Sequence, residues 1–263
     1  MDPKPVHLGP EYGAQFSDVA VAGAYSTRPP YPAEFFQGLE DLFPDGSRVL
    51  LDLGCGTGDV AISMAERVDR VDAVDPSAAM LAVARSRKGA DHPSIRWIHA
   101  PAERFEFRGP YSLVLAAESL HWMDWGTVLA RIAAALEPRG FLVLADGRAL
   151  VNMPWASELE KLIPKYSTNR DYRPYDLVAE LTRRGAFREV GRSTTRCVPF
   201  DQPLVDYIES FHTRNGFSRE RMIRERAAEF DQAVRTLVLP YCPSGVIHGE
   251  TCAVLIWGSP SAV

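Results

Sequence analysis

The stretch "VLLDLGCGTGDVA", residues 49–61, runs from a row of aliphatics straight into glycines at 54, 56 and 58, then into a segment with helical apolar spacing. A chain that leaves a buried strand and turns at once into a helix needs backbone freedom at the turn. Glycine supplies that freedom and lets a ligand approach the main chain closely. The feature predicts a parallel α/β unit whose ligand lies at the carboxyl end of its first strand, near the point where the strand order reverses.

The same rhythm continues downstream. Residues 70–75 ("RVDAVD"), 94–100 ("SIRWIHA"), 111–117 ("YSLVLAA") and 141–146 ("FLVLAD") read as short apolar strands. Between them, residues 77–88 read as a helix capped by Ser77, and 124–140 as a helix closed by Pro138 and Gly140. Upstream, Tyr12, Phe16, Val19 and Ala20 mark an amphipathic helix over 11–25, "RPPYP" (28–32) ends it, and a second helix follows over 33–43. Residues 1–10, with three prolines, read as a loose arm.

After Asp146 the alternation gives way to helices in "MPWASELEKLI" and "PYDLVAELTRRG", a strand over 188–200, two helices within 204–240, and a closing strand in "TCAVLIWGSP". The fold class expected is α/β: a doubly wound, mostly parallel seven-stranded sheet with a helical cap. One domain, 1–263, is expected to comprise an N-terminal cap (1–45), a core (46–146), cap insertions (147–187 and 201–248) and final strands (188–200 and 250–258).

Composition excludes several classes of partner. The chain is 46% hydrophobic and 24% charged with a net charge of −5, which disfavours nucleic acid and anionic membranes. Its two basic runs, 85–88 and 219–226, lie on helices and read as solvated faces. With no apolar leader and no spanning segment, a cytoplasmic location is expected. Cys55, Cys197, Cys242 and Cys252 are scattered without metal-ligand spacing, so reduced, mostly buried cysteines are expected, with no disulfide framework and no metal. Cys55 reads either as a nucleophile or as a small side chain tolerated in a tight turn.

The turn also constrains the ligand's charge. A dinucleotide fingerprint requires glycine where this chain has Asp59, and an acid at the helix start repels a pyrophosphate. Asp75, roughly 20 residues beyond the first glycine, ends the second strand where a carboxylate accepts hydrogen bonds from ribose hydroxyls. Asp52 adds a second negative charge in the turn. Together they suit a cationic sulfonium nucleoside better than a nucleotide.

"LLDLGCGTGDVA" with "VDAVDPSAAMLAVAR", "APAERFEF" and "YSLVLAAESLHWMD" resembles the class I S-adenosylmethionine (SAM)-dependent methyltransferases over residues 48–146. "FSDVAVAGAYSTRPPYP" and "AAESLHWMD" are similar to the small-molecule enzymes related to trans-aconitate methyltransferase. The resemblance implies a Rossmann-like fold and SAM as cofactor, with S-adenosylhomocysteine as product. It implies backbone contacts to the cofactor from Gly54, Gly56 and Gly58, Asp52 near its amino group and Asp75 on the ribose. Pro76 to Met80 would lie along the adenine, Ala102 and Glu103 at its amino edge, and Tyr25 and Arg28 over its methionyl end. The common pattern often has an acid before that alanine; here Pro101 stands there, so backbone groups or Glu103 must read the adenine.

Glu118 and His121, at the end of the fourth strand, are the candidate catalytic groups, and Glu118 is also a candidate cofactor contact. His121 is the candidate base because imidazole titrates near neutrality, with a pocket wall or a structural histidine as the alternatives. Trp155 and His212 in the cap are candidate acceptor contacts alongside His121, with core packing as the alternative. The Asn/Asp-Pro-Pro-aromatic motif of DNA amine methylation is absent, since Ala116, Ala117, Glu118 and Ser119 stand there. A small-molecule acceptor with an O, N or C nucleophile is therefore expected, acted on by a monomer or homodimer. Non-methylating SAM chemistry such as cyclisation, and non-catalytic SAM binding, are the alternatives. A nicotinamide oxidoreductase is disfavoured by Asp59.

Overall fold

A computed structural model describes residues 4–261. Its centre is a seven-stranded sheet built from β1 (Val49–Leu53), β2 (Arg70–Asp75), β3 (Ile95–His99), β4 (Tyr111–Ala117), β5 (Leu136–Asp146), β6 (Phe187–Thr194) and, after an excursion, β9 (Val254–Pro260). The spatial order is β3-β2-β1-β4-β5-β9-β6, with β9 antiparallel to both its neighbours and all other pairs parallel. The order reverses between β1 and β4, so a crevice opens beside the glycine turn at the carboxyl ends of both strands.

Both faces of this sheet are covered, which is why its central strands read as bare aliphatics. Leu51, Leu53, Val114 and Leu142 pack on one side with Val128 and Ile132 of α6 (Trp125–Ala135). Leu50, Val71, Leu113 and Val143 pack on the other with Phe35 and Leu39 of α3 (Ala33–Asp41) and Val60 and Met64 of α4 (Asp59–Met64). The α5 helix (Ala78–Ser86) begins as expected, the Ser77 hydroxyl accepting from the Met80 amide at 3.1 Å.

Several elements depart from the sequence reading. The helix expected over 11–25 is broken into α1 (Pro10–Gly13), α2 (Val19–Ala24) and single 3₁₀ turns at Ala14–Ser17 and Tyr25–Thr27. The main break lies at Asp18, which is extended and whose carboxylate is committed to Ser218 and Arg221. Of the expected loose arm, residues 1–3 lie outside the described residues, but Val6–Leu8 forms a turn that buries His7 and Leu8. The helix expected to run to 140 stops at Ala135, because the residue before Pro138 is pushed out of helical geometry and β5 begins at Leu136.

The cap holds α7 (Ala156–Tyr166), α8 (Leu177–Arg183), α9 (Leu204–Phe211) and α10 (Arg224–Val238), plus a two-stranded sheet of β7 (Val198–Pro203) and β8 (Val246–Thr251). The single strand expected over 188–200 is thus two, one in each sheet. Thr194 pairs with Val254 in the large sheet and Val198 with Thr251 in the small one. The two crossings between sheets therefore run side by side, bringing Cys197 and Cys252, 55 residues apart in sequence, to a Cα separation of 4.4 Å. They form a disulfide, correcting the expectation of four reduced cysteines, while Cys55 and Cys242 are free and buried. Among the described residues, no helix is long and apolar enough to cross a membrane.

Candidate active site

A cavity of about 1070 Å³ lies over the carboxyl ends of β1, β2, β4 and β5, partly covered by the N-terminal turns and the cap and partly open to solvent. That is the upper end of ligand-pocket sizes, enough for a nucleoside and a second small molecule. On the sheet side its wall includes Gly54, Gly56, Asp75, Pro76, Met80, Ala102 and Glu103; Tyr25, Arg28, Glu118 and His121 line it as well. The residues expected at a cofactor and acceptor site are in large part brought together.

The glycine turn works in three ways. All three glycines have positive φ, +74° at Gly54, +53° at Gly56 and +79° at Gly58. Gly56 faces open space, the nearest atom to an added Cβ being a Tyr25 ring carbon at 3.9 Å. At Gly54 an added Cβ would meet Ser119, and at Gly58 the Trp97 ring. Gly58 is therefore a packing glycine between α4 and the sheet and does not line the cavity, contrary to its expected cofactor contact.

Asp75 is held rigidly at the cavity wall. Its two oxygens accept from the backbone amides of Gly56 and Ser77, each at 2.8 Å, leaving lone pairs toward the cavity. Burial raises its pKa, and those two amides oppose the rise. Asp52, by contrast, lies behind the turn. It is 1% exposed, one carboxylate oxygen has no partner among the described residues, and burial followed by the charges of Asp75 and Asp59 lifts its pKa to about 7. It does not line the cavity, so the expected contact with a ligand's amino group is not made from this position.

Asp59 in the first turn of α4 is ion-paired with both Arg87 and Arg148 at 2.8 Å. The helix end that would receive a pyrophosphate is thus occupied by a paired carboxylate and closed off from the cavity. The donor set fits a nucleoside carrying vicinal hydroxyls and no phosphates.

An ion-paired clamp crosses the roof. Arg28 reaches Glu118 at 2.9 Å, and gives two further donors to the Thr213 hydroxyl (2.7 Å) and carbonyl (2.6 Å). The other Glu118 oxygen accepts from the Arg148 amide at 3.2 Å. The Tyr25 ring is flanked by the guanidinium groups of Arg28 and Arg148, 4.5 and 5.2 Å from its centroid. Burial pushes the Glu118 pKa up, but Arg28 and Arg148 outweigh it and hold the carboxyl below its usual range. Glu118 also sits at φ +51°, a left-handed conformation unusual for its type. These features make it a fixed anion, and its depressed pKa makes it a weak proton acceptor.

His121 lines the cavity edge-on to Trp122, with centroids 4.6 Å apart, and makes no side-chain hydrogen bond to a described residue. Burial lowers its pKa to about 4 against the opposing charge of Glu118, so the imidazole is neutral at physiological pH. Glu103 lines the wall while one oxygen caps the Asp124 amide at 2.8 Å, and the Ala102 carbonyl accepts from Arg131 at 2.8 Å.

Trp155 and His212 are not at the cavity. Trp155 donates to the Tyr207 hydroxyl at 2.9 Å inside the cap core, and His212 bridges the Phe217 carbonyl and Asp231 there. Each satisfies its polar atoms within the cap, which corrects their assignment as acceptor contacts. The cavity instead receives Arg148, Asp146, Arg214, His7 and Tyr175, none of which the sequence reading singled out. Asp146 and Arg148 had a signal, lying at or just beyond the end of β5. Arg214, His7 and Tyr175 had none, because long-range folding alone brings them in.

Residues 50–140 match the family model described as a methyltransferase domain. The chain is 34% identical over 146 residues to an uncharacterized methyltransferase of Mycobacterium tuberculosis, covering 55% of this chain and 57% of that protein. It is 32% identical over 109 residues to a ubiquinone biosynthesis O-methyltransferase of Rhodopseudomonas palustris, covering 41% and 42%. Residues 50–140 are therefore similar to methyltransferase domains. The chain spans a little over half the length, or less, of these curated relatives. The fold of the core and its cap is similar to that of a candidate type II methyltransferase from Anaeromyxobacter dehalogenans. The two share a TM-score of 0.64 and 23% identity, over 89% of this chain and 97% of that one.

Proposed function

We propose that this chain is a SAM-dependent methyltransferase acting on a small-molecule acceptor. The observation that carries the reading is a single cavity that joins the Asp75 cradle at the glycine turn to a second, separately built polar wall. When bound, SAM supplies an electrophilic methyl group on a sulfonium sulfur with a good leaving group, so the protein's work is alignment and exclusion of water.

Asp75 holds the ribose hydroxyls through the lone pairs its two amide bonds leave free. Gly54 and Gly56 admit the methionyl chain against the backbone, while Pro76, Met80, Ala102 and Glu103 wall the adenine. Tyr25 and Arg28 close the methionyl end, with Glu118 fixing Arg28 as a positioning residue. The neutral His121 imidazole is the group available to accept a hydrogen bond from an O or N nucleophile and so orient it, its lowered pKa making it, like Glu118, a weak proton acceptor.

Calorimetric titration with SAM, S-adenosylhomocysteine and NADH tests the reading. Micromolar binding of the first two and none of NADH is expected, followed by a product heavier than its acceptor by one methylene. NADH binding, or no binding, would sink it. Asp75→Ala is expected to weaken S-adenosylhomocysteine at least about tenfold, as charge-assisted hydrogen bonds are lost. Unchanged affinity would remove Asp75 from the site.

A further inference from the structure

With the donor side assigned as above, on which this inference rests, the cavity lining also holds Arg214, Asp146, Tyr175, Tyr172 and His7, linked by the charge of Asp146 acting on both Arg214 and Tyr175 and by the His7 ring edge-on to both tyrosines. The charges in this group are arranged unlike those on the donor side. Arg28 and Arg148 have hydrogen-bonded counter-ions, Glu118 and Asp59. The main chain of Arg214 bonds to Phe211 and Phe217, but its guanidinium, 4.5 Å from the Phe211 ring centroid, makes no hydrogen bond or ion pair with any described residue. A guanidinium facing a cavity without a counter-ion carries a desolvation cost that an incoming anion offsets, and its planar fork matches a carboxylate.

The groups whose charges act on Arg214 are Arg28, Tyr207, Glu118 and Asp146. Burial, then Arg28, lowers its pKa, and the other three oppose the fall. Glu118 is committed to Arg28 and to the Arg148 amide, and the Tyr207 hydroxyl accepts from Trp155. Asp146, at the end of β5, lines the same space and has no ion pair with a described residue. The subsite therefore offers one uncommitted cation with a carboxylate in its field, an environment that welcomes one negative charge and repels a second. Tyr172 and Tyr175 present aromatic surface beside it, both in edge contact with His7, whose buried Nε2 has no partner among the described residues.

We propose that Arg214 anchors the methyl acceptor through a single carboxylate, and that the acceptor is a small monocarboxylic acid with a flat apolar body seated against Tyr172 and Tyr175. Asp146 selects against a second acid group. The other carboxylate that could meet Arg214 is the one on the donor itself, and the test separates the two sources.

The test is NMR of the full chain labelled with ¹⁵N-arginine, in which the Arg214 Nε–H signal is the one missing from both Arg214→Lys and Arg214→Gln. Retained S-adenosylhomocysteine affinity in these variants shows that they are folded. Saturating S-adenosylhomocysteine is expected to leave the Arg214 signal in place. Benzoate added to that complex is expected to shift it saturably, benzamide to leave it unmoved, and isophthalate to bind at least about tenfold more weakly than benzoate. A shift caused by S-adenosylhomocysteine alone would hand Arg214 to the donor and overturn the proposal. So would a signal that benzoate does not move, or tighter binding of isophthalate. If S-adenosylhomocysteine fails to bind calorimetrically, it is the methyltransferase reading that falls, and the two failures are distinguishable on one sample.

Discussion

At the scale of single residues, two carboxylates close in sequence reach opposite ends of usefulness. Asp75 faces the cavity on two amide bonds, whereas Asp52 is buried behind the turn with an oxygen unpaired among the described residues. Burial places the Asp52 pKa at about 7, above its ordinary value, so folding favours the protonated form. Its contribution is then fully present below about pH 4, where the unfolded group is protonated too, and is lost as pH rises toward 7. The penalty at pH 8 reaches roughly 4 kcal/mol by linkage. Asp52→Asn keeps the shape without the charge and is expected to melt higher than wild type at pH 8 and close to wild type at pH 4. Equal melting temperatures at both pH values would show that Asp52 is not the titrating group.

At the scale of elements, the glycine turn shows that residues of one motif answer to different demands. Gly56 needs its positive φ and has room, while Gly58 combines positive φ with the Trp97 ring and Ala84 pressed against it. Alanine at either site pays the left-handed penalty, and alanine at 58 adds overpacking. Gly58→Ala is expected to lose about 2–4 kcal/mol in urea unfolding and Gly56→Ala distinctly less. The reverse order would contradict the packing role. The β6–β7 break follows similar logic: the pattern from 188 to 200 is strand-like throughout, but Thr195 bonds to Ala253 and Cys197 to Cys252, where the chain passes from one sheet to the other. Periodicity reports extended backbone without saying which sheet receives it.

At the scale of the whole molecule, the cavity roof depends on contacts between the two ends of the chain. Asp18 pairs with Arg221 at 2.7 Å and accepts from Ser218 at 2.6 Å. Nearby, Asn215 donates to the Tyr12 carbonyl, the Gly216 amide to Gln15, and Tyr12 to Asp171. These bonds tie the N-terminal turns, whose short pieces have little helical stability of their own, to the cap. Asp18→Ala is expected to speed amide exchange across residues 10–25 by about tenfold or more in the ligand-free protein, with the central sheet unaffected. Unchanged exchange would show that the roof is held by packing alone.

The core was legible in the amino-acid order because its signals are local. Strands β1, β2 and β4 lie at the boundaries read from their aliphatic runs, the Ser77 cap is where its side chain can reach, and the glycines and Asp75 meet over a short loop. The sheet side of the cavity is made from turns at successive strand ends, so Gly54, Gly56, Asp75 and Pro76 share one neighbourhood whatever the cap does. The cap side is assembled differently. His7, Asp146, Tyr175 and Arg214 come from four distant parts of the chain, and Trp155 and His212, which looked equally suitable, turn inward because the cap needs their bulk and hydrogen bonds for its own core. Local pattern specifies which segments are strands and which turn can cradle a nucleoside. Which distant side chains face the shared cavity is settled only by long-range packing, in which burying apolar surface and pairing polar atoms compete for the same residues.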